Sequence, residues 1–119
     1  MNSHKQQILE HYKHPKNFGK PEEFSHSGEA DNLSCGDAIQ LFLEVQNDII
    51  TTAKFTGDGC SIALATASML TEELQGKTVD EVKSWDEDKI LDLLKLELTS
   101  SRKKCALLSW NALQHALSF

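Results

Sequence analysis

The stretch Thr56-Gly57-Asp58-Gly59-Cys60-Ser61-Ile62-Ala63 decides how this chain folds, because an extended segment ends in it and a helical pattern begins. Gly57 and Gly59 suit backbone angles that side chains forbid, or the close approach of a ligand. Cys60 stands where the helix begins, and a helix start favours a thiolate, the form that binds metals and attacks electrophiles. The stretch therefore predicts a strand, a bend and a helix, with a reactive thiol at the bend.

A hairpin is predicted ahead of this stretch. Residues 37–46 alternate in polarity with Phe42 as an exception, and residues 49–56 form a second alternating run. Asn47 and Asp48 between the two runs favour a turn. The residues assigned to one face are Ile39, Leu41, Leu43, Val45, Ile49, Thr51, Ala53 and Phe55.

Two registers of this hairpin are open. A two-residue turn would pair Gln46 with Ile49 and set Leu41 opposite Lys54, which is a poor match for a buried face. A three-residue loop would pair Leu41 with Ala53. Because a slip of one residue moves every side chain to the other face, the apolar match favours the three-residue loop.

Either register places Cys35 within one residue of the position opposite Cys60, at the open end of the hairpin. Asp37 lies one pleat inside Cys35 on the same face, whereas Asp58 lies on the opposite face. Opposed Cβ atoms are about 4.5–5.5 Å apart, and with Zn–S bonds of about 2.3 Å two such thiolates can share one metal. The residues alone therefore predict a cluster of two cysteines and one carboxylate.

Helices are predicted on both sides of the hairpin. Residues 3–14 form the first helix, capped by Ser3, with solvated histidines on its exposed side. Residues 16–34 are a loop with one irregular strand near 27–33. Residues 60–75 form a helix that is apolar on more than one side and so is buried between layers.

The last third of the chain is predicted to be helical as well. Thr78 and Asp86 begin two short acidic helices, and residues 96–104 form a polar connection. The final helix then begins at residue 103 or 104. This places Cys105 in its first turn, behind three cations, where a thiolate is favoured.

Composition limits the kind of protein. The 119 residues fit one domain, 1–119, and the net charge of −6 argues against nucleic-acid binding. No apolar run approaches the ~20 residues that span a membrane, and the first residues lack a signal-peptide core. We expect a cytoplasmic protein with three reduced thiols and no membrane partner.

The three cysteines lie at element boundaries beside glycine, aspartate or lysine, not inside apolar stripes. No C-x-x-C pair supports a zinc finger or a thioredoxin-like motif. No serine–histidine–aspartate or cysteine–histidine spacing supports a hydrolase, and no phosphate loop is present.

Four pieces of the chain, in order, carry a family resemblance. They are residues 11–19 (HYKHPKNFG), 35–37 (CGD), 55–63 (FTGDGCSIA) and 104–110 (KCALLSW). Together they resemble the iron–sulfur cluster assembly scaffold family, which comprises IscU, SufU and the N-terminal domain of NifU. The resemblance implies an α+β fold: a small antiparallel three-stranded sheet covered by helices, with a metal site at one end.

The same resemblance implies that four residues, Cys35, Asp37, Cys60 and Cys105, meet at that site. Lys104 precedes the last cysteine, where many IscU members have histidine, and the Leu-Pro-Pro-Val-Lys motif of IscU is absent. Lysine there resembles SufU, but the chain is too short for the insertion that SufU members usually carry. The sequence thus falls between the IscU and SufU subgroups.

Three functions are open, and the resemblance implies the first two. The first is a scaffold, not an enzyme, that accepts sulfur from a cysteine desulfurase, binds iron and holds a transient [2Fe–2S] cluster for apo iron–sulfur acceptor proteins. The second is a Zn²⁺-dependent sulfurtransferase, in which Cys35 releases the metal and takes the persulfide sulfur. The third is a domain with a purely structural zinc.

Overall fold

The computed structural model describes residues 3–34 and 36–119. In these ranges the chain forms three strands and six helices, and no helix is long and apolar enough to cross a membrane. The elements in chain order are α1 (His4–Lys13), β1 (His26–Asn32), β2 (Asp37–Gln46), β3 (Ile49–Asp58), α2 (Ser61–Leu74), α3 (Val79–Lys83), α4 (Glu87–Asp92), α5 (Ser100–Ala106) and α6 (Leu108–Leu117).

The sheet is antiparallel with the order β1-β2-β3, and α2 and α6 cover one face of it. This confirms the predicted α+β class. Leu41 and Phe55 of the sheet pack against Leu70 of α2 and Leu113 of α6, and all four are fully buried. Phe42, the exception to the alternation, points to the other face, where the Phe24 ring covers it with ring centroids 5.0 Å apart.

The hairpin turn has two residues, so the predicted three-residue loop was wrong. Asn47 and Asp48 have φ angles of 53° and 66°, and Gln46 pairs with Ile49. Positive φ at both central positions defines a type I′ turn, whose twist matches that of the strands it joins. The turn chemistry of these two residues therefore decides the connection, which an apolar match alone does not reveal.

A β-bulge between Glu44 and Val45 restores the apolar match. Beyond the bulge, Leu41 lies opposite Phe55, not opposite Ala53 as predicted. The extra residue on one strand shifts the pairing by one, so the apolar faces meet even though the turn is short. The predicted face is correct for Ala53 and Phe55. Between the turn and the bulge it is wrong, because Ile49 and Thr51 are exposed and Ile50 is buried. The predicted pairs are wrong throughout.

The final helical region also differs from the prediction. The Thr99 hydroxyl accepts the N–H of Arg102, so α5 begins at Ser100 inside the segment predicted as a polar connection. Leu107 then separates α5 from α6. Cys105 consequently lies in the last turn of α5, not in the first turn of a helix.

Helix α1 packs on α2 through one buried serine. Ser68 is fully buried, and its Oγ accepts the main-chain N–H of Lys16 and bonds to Nδ1 of His11, both at 2.7 Å. The capping box of Ser3 confirms the predicted helix start. His11 is therefore not a solvated histidine as expected, because it joins the first helix to the core.

Candidate metal centre

Three of the predicted ligands meet at one end of the sheet. Asp37 begins β2, Cys60 caps α2, and Cys105 lies in the last turn of α5. One carboxylate oxygen and the two sulfur atoms all lie within 4.8 Å of one another. Within residues 3–34 and 36–119, no other group of three or more His, Cys, Asp or Glu is close enough to share a metal ion.

Asp37 is fixed by the residue that it faces. Its side chain is 2% exposed, and its Oδ1 accepts the main-chain N–H of Cys60 at 3.0 Å. The second oxygen, Oδ2, lies 3.8 Å from the Cys60 sulfur. A buried carboxylate needs such compensation, and the start of α2 supplies both an N–H donor and the positive end of a helix dipole. One oxygen is thus held while the other is directed at the thiol.

Gly59 makes this arrangement possible. A Cβ atom at this position would lie 2.8 Å from Oδ1 of Asp37 and 3.2 Å from its Cβ. At Gly57, a Cβ atom would overlap the main-chain oxygen of Ala38. Both glycines therefore allow close approach, but the groups that approach belong to β2 and not to a ligand as predicted.

The two cysteines differ in burial. Cys60 is exposed, and its position at the start of α2 agrees with the prediction. Cys105 is 6% exposed within an apolar cluster that includes Ile8 and Leu94. Its predicted place at a helix start was wrong because Thr99 caps the helix earlier, so the dipole argument does not apply to this thiol.

Two further predictions concern the rest of the ligand set. Cys35 lies outside the described residues, so its place in the site stays a prediction. Asp58 pairs with Ala38, is exposed, and is absent from the group that contains Asp37. The expected separation of the two carboxylates onto opposite faces is confirmed.

The donor set suits zinc or iron. With Zn–S bonds of about 2.3 Å, two ligand atoms of a tetrahedral zinc lie about 3.5–3.8 Å apart, and the Oδ2–Sγ distance between Asp37 and Cys60 is 3.8 Å. Thiolates select zinc and iron–sulfur chemistry over magnesium or calcium. The described residues thus provide three donors with the chemistry and spacing of such a site.

The fold and the site together define a small α+β domain whose two thiols and one carboxylate converge at the end of a sheet. The sequence profile described as "NifU-like N terminal domain" matches residues 3–119. The chain therefore belongs to the family of NifU-like N-terminal domains.

Relatives of two kinds are similar to this chain. The "Zinc-dependent sulfurtransferase SufU" of Bacillus subtilis is 35% identical, over 97% of this chain and 89% of its own length. The "Iron-sulfur cluster assembly scaffold protein IscU" of Thermotoga maritima is 32% identical, over 92% of this chain and 89% of its own length. The crystal structure of FiSufU from Fervidobacterium islandicum AW-1 superposes with a TM-score of 0.81 at 32% identity, over 98% of this chain and 99% of that one.

Sequence reasoning missed one supporting residue, Ser68. It bonds to both α1 and the segment after α1, and its partners are 57 and 52 residues away in the chain. The available signal was a serine in the run Ala63–Leu70, whose other members are apolar except Thr66. A buried hydroxyl in such a run needs a partner, and the histidine of α1 is that partner.

Proposed function

We propose that this protein is an iron–sulfur cluster assembly scaffold in which the whole chain, 1–119, acts as one domain. It accepts sulfur from a cysteine desulfurase, binds iron, and holds a transient [2Fe–2S] cluster that passes to apo iron–sulfur acceptor proteins in the cytoplasm. The ligands in this proposal are Cys35, Asp37, Cys60 and Cys105. The observation that carries it is the convergence of Asp37, Cys60 and Cys105, from three separate elements, to within 4.8 Å.

The mixed donor set suits cargo that must leave. Thiolates bind iron strongly, whereas a carboxylate is a harder and weaker ligand for an iron–sulfur cluster. Asp37 holds one oxygen on the Cys60 N–H at 3.0 Å, so this carboxylate does not need to reorganise when its other oxygen releases iron. The exposed Cys60 gives an acceptor protein a route to the cluster.

Sulfur delivery requires a thiolate that can reach the desulfurase. In our proposal the Cys35 thiolate attacks the outer sulfur of the desulfurase persulfide. A new S–S bond forms on Cys35, the S–S bond of the desulfurase breaks, and its cysteine leaves as a thiolate. Two electrons from a dithiol reductant then release the outer sulfur of the Cys35 persulfide as sulfide and restore the Cys35 thiolate, while Cys60 and Cys105 remain at the site to bind iron.

The test is anaerobic reconstitution with iron, cysteine, a desulfurase and dithiothreitol as the dithiol reductant, followed by absorption spectroscopy and measurement of bound iron and sulfide. We expect cluster absorption from the wild-type protein, and its loss in Cys60→Ser. Asp58→Ala is the matched control, because Asp58 flanks Cys60 but is exposed and outside the ligand group. No cluster in the wild type, or an equal cluster in Cys60→Ser, would contradict the scaffold.

A second candidate is Zn²⁺-dependent sulfur transfer. Two observations favour it: the 3.8 Å spacing of Asp37 Oδ2 and Cys60 Sγ fits tetrahedral zinc, and the 35% identical relative is named a zinc-dependent sulfurtransferase. Bound zinc would keep the remaining thiols deprotonated, while Cys35 again accepts the sulfur.

Metal analysis of protein purified without oxygen separates the two candidates. Zinc near one equivalent, together with faster desulfurase turnover that is lost in Cys35→Ala, would support sulfur transfer. Zinc without any effect on turnover, combined with unfolding on chelation, would indicate a structural metal and contradict both proposals.

A further inference from the structure

The two edge strands of the sheet, β1 and β3, differ in how far other parts of the chain cover their outer edges. The outer edge of β3 is covered near both ends. The Phe55 N–H donates to Asn17 at 3.0 Å, the Gly19 N–H donates to Phe55 at 2.8 Å, and the Ile50 N–H donates to Lys77 at 2.9 Å. Edge strands expose main-chain groups that readily pair with other chains, so such covering is expected.

The outer edge of β1 has no comparable cover from the described residues. The main-chain oxygen of Glu29 meets the His115 ring nitrogen Nδ1 at 2.7 Å, which shows that Glu29 directs its main chain away from β2. Because direction alternates along an antiparallel strand, Ser27 and Asp31 do the same. Within residues 3–34 and 36–119, the main-chain N–H groups of these three residues donate no hydrogen bond outside the sheet. The main-chain oxygens of Ser27 and Asp31 likewise accept none from the same part of the chain.

A groove of about 590 Å³ extends from β1 across the sheet to Thr56 and Gly57 of β3. Its lining includes Glu29 and Asp31 of β1, Gln40 of β2, and Asn111 and His115 of α6. No lysine or arginine is among the described residues that line it. The side chains of Glu29 and Asp31 are exposed, so the groove presents two carboxylates next to unpaired main-chain groups.

We propose that the β1 edge, defined as residues 27–31, binds an extended basic segment of a partner protein as an antiparallel fourth strand. Main-chain bonds to Ser27, to Asp31 and to the N–H of Glu29 would provide the pairing, while the Glu29 oxygen keeps its bond to His115. Side chains directly opposite lie about 4.5–5.5 Å apart, so lysine or arginine of the segment would meet Glu29 and Asp31. A second copy of this chain fits poorly, because it would bring like carboxylates together.

The segment's alternate side chains would face the opposite way, towards Asn111 and His115 of α6. These positions favour small polar residues over bulky apolar ones. We therefore expect the sequence of the bound segment to alternate between basic and small polar residues. The β1 edge contains none of the proposed metal ligands, so peptide binding can be lost or kept independently of the proposed function.

The probe is a seven-residue peptide, acetyl-Thr-Lys-Thr-Lys-Thr-Lys-Thr-amide, titrated into the full-length protein with and without zinc. Binding is followed by amide chemical shifts and hydrogen exchange. We expect saturable shifts and slower exchange at Ser27, Glu29 and Asp31 in both forms. Shifts centred elsewhere, or none at all, would overturn the proposal and leave the acidic edge as a device that keeps the strand unpaired.

Two peptide controls separate strand pairing from charge attraction. In antiparallel pairing, the lysine N–H groups of the probe face β1 and the threonine N–H groups face away. Methylation of the lysine main-chain nitrogens should weaken binding about tenfold or more, whereas methylation of the threonine nitrogens should be tolerated. Equal affinity of the two methylated peptides would overturn the proposal, since the charges of both are the same.

Variants of the protein give an independent test. The double variant Glu29→Lys/Asp31→Lys should weaken probe binding about tenfold or more through charge reversal. The control Glu22→Lys/Glu23→Lys makes the same change of net charge at exposed residues outside the groove, and it should alter affinity less than about threefold. Equal losses in both variants would mean that only net charge is sensed, which contradicts the proposal.

Discussion

Cys60 and Cys105 reach the same site from opposite surroundings. Cys60 is exposed at the start of α2, where the chain bends out of the sheet. Cys105 is 6% exposed in the last turn of α5 and packs among apolar residues of three helices. That cluster consists of Ile8, Ile62, Ala63, Ala65, Leu94, Cys105 and Ala106.

This difference assigns the two thiols different physical roles. An exposed thiol can exchange ligands with an incoming protein at little cost to the fold. A thiol inside an apolar cluster links metal binding to the packing of α1, α2 and α5, because whatever stabilises the bound state also stabilises that cluster. The site thus has one side that is exposed to solvent and one side that belongs to the core.

Serine substitution of each thiol should separate these roles most strongly. Cys60→Ser and Cys105→Ser should each weaken zinc affinity about a hundredfold or more, because each removes a ligand. Only Cys105→Ser should also lower the free energy of unfolding of the metal-free protein, by about 1–3 kcal/mol, since it buries a hydroxyl in an apolar cluster. Chelator competition measures the first effect and urea unfolding the second.

The comparison fails if the two variants unfold alike without metal. Cys105→Ala is the control for packing, because it removes the sulfur without adding a polar group. It should lose zinc as Cys105→Ser does but retain more of the stability. Equal destabilisation by Cys60→Ser would mean that Cys60 is also part of the core.

Removing Ile8 should expose the buried thiol. Ile8 is 5% exposed and shares its cluster with Cys105, so Ile8→Ala should lower stability by about 2 kcal/mol. Alkylation of Cys105 by iodoacetamide in the metal-free protein should become severalfold faster, while Cys60 is unchanged, as measured by mass spectrometry of the labelled peptides. Leu9→Ala, at a side chain that is 49% exposed, is the control. Unchanged Cys105 labelling in Ile8→Ala would refute the shielding.

Gly59→Ala should disturb the contact between Asp37 and the exposed Cys60. The added methyl group would lie 2.8 Å from Oδ1 of Asp37, so the carboxylate must move away from the Cys60 N–H. We expect zinc affinity to fall about tenfold, as is typical when a group that orients a ligand is lost. Asp58→Ala, one residue earlier, should leave affinity unchanged. Titration with a zinc indicator compares them, and equal affinities would show that Asp37 does not need this hydrogen bond.

Ser109→Ala should have the smallest effect, and it should stabilise. The Ser109 hydroxyl is fully buried and has no hydrogen-bond partner among the described residues, four positions after Cys105. Removing this hydroxyl, which leaves only the Cβ methyl group, should raise the free energy of unfolding by about 1 kcal/mol. The exposed Ser101→Ala should change it by less than about 0.5 kcal/mol. A loss of stability in Ser109→Ala would show that the hydroxyl has a partner after all.

The exposed thiol was predictable and the buried one was placed wrongly, for reasons that lie in local chemistry. Two glycines before Cys60 mark a bend that sequence patterns reveal directly. Cys105 follows a run of serine, arginine and lysine that was interpreted as a connection. The capping residue Thr99 was the overlooked signal, since it allows those polar residues to form an exposed helix face.

In the hairpin, the sequence predicts which residues beyond the bulge are buried at the core but not how the strands pair. Alternation assigned the faces of Leu41 and Phe55 correctly, because burial imposes a period of two. The bulge at Glu44 and Val45 was not predictable, since it depends on how a tight turn and an apolar face are reconciled in the folded sheet. Strand β1 also owes its place to tertiary contact: at Gly28, a Cβ atom would overlap the main chain of α6.

The bond between Ser68 and the first helix sets an order of assembly. His11 and Lys16 leave the ribosome first, but their partner lies 57 and 52 residues later. Contacts so distant in sequence carry a large loop-closure cost and form late. The beginning of the chain must therefore wait, undocked, until the strands and α2 have been synthesised. A nascent chain truncated before residue 68 would lack the hydrogen-bond partner of His11 and Lys16, so its first helix would not be docked.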